Sequence, residues 1–186
     1  MTFGEISTGL LLGLVLQSGL QAALQAPQKE IVSGVQNYTR VDANIACGGA
    51  TALEALPELK RRGFRTVINL REPTEPGANV EAEGVAARAA GLKYINVPFN
   101  VTAPNAVALV EPVLKALADP SNLPVFIHSN QAHRATGMLL IKRVVVEGWS
   151  VDKATAEADA VALSDGSPGA QRARQFALDY LKTHTK

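Results

Sequence analysis

A chain of 186 residues with 47% hydrophobic side chains is sized for one domain around a single core and leaves no room for a second. Eighteen Lys and Arg against seventeen Asp and Glu give a formal net charge of +1, and no dense basic block or aromatic-interleaved patch follows a nucleic-acid backbone, so nucleic acid is excluded as the main partner. One cysteine, Cys47, excludes an internal disulfide framework, and three scattered histidines argue against a metal site.

Residues 1–30 form an apolar N-terminal segment, with a run from Leu10 to Leu16 followed by small residues ahead of Pro27. It reads either as a secretory leader or as an extra helix packing its leucines on the domain or on a second copy, which would make a homodimer. No Lys or Arg precedes the run, Glu5 sits where a leader carries positive charge, and Gln17, Ser18 and Gln21 make it too short and polar for a stable membrane span. Periplasm or secretion and cytoplasm therefore both stay open, and the domain proper is placed at 31–186.

Strands and helices then alternate, the pattern of an α/β domain with a mostly parallel central sheet flanked by helices. A short strand is expected at Tyr38 to Val41, then the small loop "CGGAT" and a helix from Ala52 to Arg62 closed by Gly63. "TVINL", Thr66 to Leu70, has the β-branched content of a central strand, and "REPTEPG" breaks the chain before the helical "VEAEGVAARAAG". Another strand runs from Lys93 to Phe99, Asn105 caps a helix reaching Ala118, and "LPVFIH" is the last strand. Three helices complete the chain: Ala135 to Glu147, Val151 to Leu163 capped by Ser150, and Gly169 to His184, the last two separated by the loop "SDGSPG".

The segment "VFIHSNQAHRATG" joins a strand end to a helix start, where backbone N–H groups turn inward and the helix dipole favours negative charge. Arg134 adds a planar fork able to grip a tetrahedral oxyanion, with Asn130, Gln131, Ala132 and His133 supplying the loop that would wrap the bound group. An ordinary polar loop with Arg134 paired to a surface carboxylate is the competing reading.

Three blocks, "ACGGATALEALPELKRRGFRTVINLRE", "YINVPFN" and "VFIHSNQAHRATGMLLIKRVVVEGWSVDKA", resemble in order and spacing the bacterial protein-tyrosine-phosphatase-like family, also called beta-lactamase hydrolase-like phosphatases. The resemblance implies a dual-specificity-phosphatase-like fold and hydrolysis of a phosphorylated protein or small molecule through a cysteinyl-phosphate, without a cofactor. It makes His128 the orienting histidine, position 129 the nucleophile and Arg134 the phosphate-binding arginine.

This chain departs from the broad superfamily twice. Only four residues separate position 129 from Arg134, where five are usual; that shorter loop also occurs in rhodanese-like sulfurtransferases, which remain the alternative enzyme class. And Ser129 stands where the family has cysteine. A loop thiol can be drawn from about 8.5 to near or below neutrality, whereas an alcohol under the same field stays protonated and needs an adjacent base. Neither His133 nor His128 shows a third residue to orient it. The chain is thus either a natural pseudophosphatase or an enzyme whose cysteine has been replaced. Replacement is favoured, because the rest of the loop remains built for phosphate; in either case the Ser129 form should bind phosphate without turnover.

A phosphatase also needs a proton donor. The loop "FNVTAPN" offers no carboxylate, which leaves Glu72, Glu75 and Asp165 as candidates. Cys47 is by default an inert buried thiol, but would be a redox partner for a cysteine at 129 if their Cα atoms lay within about 7 Å.

Overall fold

The computed structural model describes residues 26–185, so the apolar run Leu10 to Leu16, with the leader and dimer readings placed on it, lies outside the described residues. Six strands, β1 (Gln28–Lys29), β2 (Thr39–Arg40), β3 (Ile45–Gly48), β4 (Thr66–Asn69), β5 (Lys93–Asn96) and β6 (Val125–His128), form one sheet in the order β1-β2-β3-β6-β4-β5. From β3 to β5 the neighbours are parallel, and β1 and β2 add an antiparallel edge. The helices are α1 (Leu56–Arg61), α2 (Val80–Ala89), α3 (Ala106–Ala118), α4 (His133–Val145), α5 (Val151–Ala158) and α6 (Pro168–His184). Among the described residues no helix is long and apolar enough to cross a membrane.

The two-residue period of a strand sorts β6 between two cores. Val125 and Ile127 face a cluster with α3 to α6, whereas Phe126 faces Tyr38, Leu56, Leu59 and Phe64 beside α1 and α2. His128 continues the Phe126 side, and the two rings stack 5.6 Å apart. Position 129 therefore turns back toward α4.

Several boundaries differ from those expected, each for a local reason. Pro57 occupies the first turn of α1, so Leu53–Ala55 form only a 3₁₀ turn and the α-helix starts at Leu56 instead of Ala52. Pro98 lacks an N–H, so β5 ends at Asn96, although Val97 and Phe99 still donate to Asn69 and Leu70. The segment after α5 widens into a π turn at Asp159–Leu163 instead of continuing as regular helix. α4 begins at His133, two residues before the apolar pattern that marks it.

Two strands were not anticipated. β1 starts the sheet at Gln28, ahead of the boundary at residue 31. "IACG", which overlaps the small loop expected at "CGGAT", is β3, an interior strand bonded to β6. Ala, Cys and Gly are weak strand formers in isolation. Here the small residues are required by closeness: a Cβ on Gly48 would lie 2.6 Å from the buried Phe126 ring, and one on Gly49 2.9 Å from the Asn130 carbonyl.

Candidate active site

Gly48 and Asn69 flank His128 in register, so three parallel strands end together and Ser129 is the first residue past the sheet. Ligands collect at such carboxyl edges because the strands diverge there into connecting loops. Ser129 donates its N–H to Gly48, and the Asn130 carbonyl accepts from Ala50, which ties the loop to the chain after β3. Ala132 takes a left-handed conformation, φ 70°, and its carbonyl accepts from both the Thr136 amide and hydroxyl. The amides at the start of α4 have no intrahelical acceptor and add donors to the loop.

Ser129, Asn130, Gln131, His133 and Arg134 line one cavity of about 530 Å³, together with Glu72, Glu75, Asn100, Val101, Thr102, Gly169 and Arg172. Ala132 is fully buried and does not line it; its role is to make the turn. His128 is also fully buried, behind the loop.

Arg134 is held from the far side. Its Nη1 and Nη2 donate to the two carboxylate oxygens of Glu75 at 2.6 and 2.8 Å, and Nη1 also reaches the Phe99 and Leu70 carbonyls at 2.7 and 3.1 Å. Nε makes no hydrogen bond among the described residues, so one edge of the fork stays available for an anion. The arginine does pair with a carboxylate, as the competing reading supposed, but with a largely buried one that orients it. Glu75 is in turn fixed by the Glu72 amide and by Arg71, which also donates to the Pro76 and Gly77 carbonyls and so wraps the proline-rich loop around itself.

These contacts sort the candidate acids. Burial alone raises the Glu75 carboxyl, but the hydrogen bonds from Arg134 and the Glu72 amide prevail and hold it below the ordinary carboxylate range. Glu75 is thus an ionised anchor for Arg134. Asp165 is lowered to about 2, first by the Ser167 backbone N–H and then by the Ser167 and His133 side chains, so it too is ionised. It does not line the Ser129 cavity but a neighbouring one. Glu72 lines the Ser129 cavity with Asn100 as its one side-chain donor, at 3.2 Å.

His133 has an orienting carboxylate that the sequence does not show, and His128 has a carboxylate beside it. His133 Nε2 lies 2.7 Å from Asp165 Oδ2, and His128 Nε2 lies 2.7 Å from Glu83 Oε1, the second pair poorly aligned for a hydrogen bond. Glu83, Asn69 and Tyr94 extend that buried group: Asn69 Nδ2 donates to Glu83 at 2.8 Å and to the Tyr94 hydroxyl at 2.9 Å. No hydrogen bond joins Ser129 to either imidazole among the described residues, so the nucleophile-to-base contact of a serine hydrolase is missing.

Cys47 sits in the sheet interior, paired with Ile127, not at an edge beside the loop. With a rise of ~3.3 Å per residue and ~4.8 Å between strands, its Cα is about 8 Å from that of position 129, beyond the ~7 Å limit for a disulfide. Burial pushes the thiol far above its usual range. A bridge from Cys47 to a cysteine at 129 would require backbone movement.

Residues missed in the sequence are Arg71, Glu83, Asn100 and Arg172. Glu83 carried a signal: it shares the buried face of α2 with Gly84 and Ala87, an acid on a stripe of small residues. Arg172 carried none, because α6 reaches the cavity only through tertiary packing.

Residues 25–175 match the family model described as DSP-PTPase phosphatase fused to NAD+ kinase. A beta-lactamase hydrolase-like protein of Xylella fastidiosa (strain Temecula1) is 31% identical over 109 residues, 56% of this chain and 24% of that protein, so the chain spans about a quarter of the length of the curated relatives it matches. Among solved structures, a DUF442 phosphatase of Shewanella putrefaciens superposes with TM-score 0.66 at 17% identity, covering 82% of this chain and 94% of that one. A Cys-to-Ser variant of P. aeruginosa TpbA in complex with pTyr gives 0.62 at 18%, covering 89% and 93%. The core catalytic domain of a PP-IP phosphatase from S. cerevisiae in complex with citrate gives 0.63 at 21%, covering 81% and 88%. These structures share the fold.

Proposed function

The chain belongs to the family described as DSP-PTPase phosphatase fused to NAD+ kinase, and on that premise we propose that its 129–134 loop binds phosphate monoesters and, with Ser129 in place, does not turn them over. The carrying observation is Arg134, which lines the cavity with Ser129 and is clamped by Glu75 through one edge, while Nε, on the other, makes no hydrogen bond among the described residues. A bidentate guanidinium beside helix-start amides is complementary to phosphate.

Ser129 has the position for attack but no base to take its proton, and the loop's positive field does not ionise an alcohol. A thiol there responds differently. With cysteine at 129, the thiolate attacks phosphorus, a P–S bond forms as the P–O bond breaks, and the leaving oxygen takes a proton. Water then hydrolyses the cysteinyl-phosphate. Glu72, which lines the Ser129 cavity without an arginine partner, is the proton donor in this scheme.

The test is Ser129→Cys with an activated aryl phosphate, whose leaving group needs little protonation. The variant should hydrolyse it, form a covalent phosphoenzyme on rapid quench, and react with iodoacetamide well below pH 8 with vanadate protecting. The unaltered protein should bind vanadate without turnover. A folded Ser129→Cys protein that binds phosphate but neither labels nor turns over would establish a binding module instead. Thiocyanate from thiosulfate and cyanide, without phosphate release, would favour the sulfurtransferase.

A further inference from the structure

Four formally charged side chains line the Ser129 cavity: Arg134, Glu75, Glu72 and Arg172. Arg134 and Glu75 neutralise each other in their bidentate pair. Glu72 is hydrogen-bonded by the Asn100 side-chain amide and by no cation among the described residues. Arg172, on α6, is the second guanidinium on the cavity wall. It is exposed and makes no ion pair or hydrogen bond to any described residue, whereas Arg71, Arg134, Arg143 and Arg174 are each committed to a carboxylate. An uncommitted guanidinium on the wall of an anion cavity has its donor fork free for a second anionic group. At about 530 Å³ the cavity also falls in the size range of small-molecule sites and exceeds what one phosphate fills.

We propose that Arg172 anchors a second phosphoryl group, and that the preferred ligand is a small bisphosphorylated molecule with one phosphate in the 129–134 loop and the other on Arg172. This rests on the phosphate-binding reading of that loop.

Calorimetric titration of the protein as sequenced tests it, at low salt because an exposed cation is screened. The ligands are inorganic phosphate, butyl phosphate, the α,ω-bisphosphates of propanediol, butanediol and hexanediol, and a monophosphorylated tyrosine peptide. The best bisphosphate should bind at least about tenfold tighter than butyl phosphate, the scale of one charge-assisted contact. Arg172→Gln should bring that ratio to within about threefold of one, while Arg88→Gln, which removes an exposed arginine that does not line the cavity, should keep it. A ratio near one in the unaltered protein, an equal loss in both variants, or a peptide binding as tightly as the best bisphosphate would overturn the proposal while leaving the loop assignment intact. Failure of every ligand to bind, inorganic phosphate included, would overturn the loop assignment and the proposal with it.

Discussion

Replacing Glu75 by glutamine removes the charge that clamps Arg134 and leaves the shape nearly unchanged. Both side chains are largely buried, at 18% and 15% exposure, so the loss is not that of a surface ion pair. Two charge-assisted hydrogen bonds at about 1.5–3 kcal/mol each give way to one neutral acceptor. Since the adjoining cavity is open to water, the net cost falls toward the lower end, about 2 kcal/mol. For a domain of this size that corresponds to a fall of about 4–8 °C in Tm at pH 7. The pH dependence carries a sign. Glu75 titrates below its ordinary range when folded, so its contribution is complete above the unfolded value of about 4.3 and is lost as pH falls through the folded one. The Tm gap between the natural side chain and Glu75→Gln should therefore be constant from pH 5 to 8 and shrink below about pH 4. Scanning calorimetry across that range checks both statements. An absent gap at pH 7, or an equal gap at pH 3 and pH 7, would refute the ionised clamp.

Cys47 should resist iodoacetamide in the folded protein at pH 8 and label quickly in denaturant, because burial both hides the thiol and raises its pKa; mass spectrometry after timed quenching reads this directly. Gly48→Ala places a methyl 2.6 Å from a ring that cannot retreat, so it should cost about 1–3 kcal/mol in denaturant unfolding. Because Gly48 is paired with His128, the same variant should weaken vanadate binding, and unaltered affinity would show that the loop does not depend on this register.

What the residues determine by themselves is what neighbours in the chain can impose on one another. Thr66–Asn69 and Val125–His128 are strands because β-branched and apolar side chains follow one another between clear breakers. Gly63, at φ +90°, ends its helix as its backbone freedom predicts. The strand-loop-helix order around Ser129 and Arg134 is local in the same sense, which is why "HSNQAHRATG" is legible as a loop joining a strand end to a helix start. Tertiary structure decided the rest. "IACG" becomes an interior strand only because Phe126 packs against Gly48, a contact spanning some eighty residues of chain. Glu75 is indistinguishable from Glu72 in "REPTEPG" until Arg134, 59 residues further on, pairs with Glu75 alone of the two, though both line the cavity. His133 meets Asp165, 32 residues away, and Arg172 on the last helix reaches the cavity by the same route. Charge and proton affinity are set by whichever groups lie within a few ångströms, and for this site those groups come from parts of the chain that only the fold brings together.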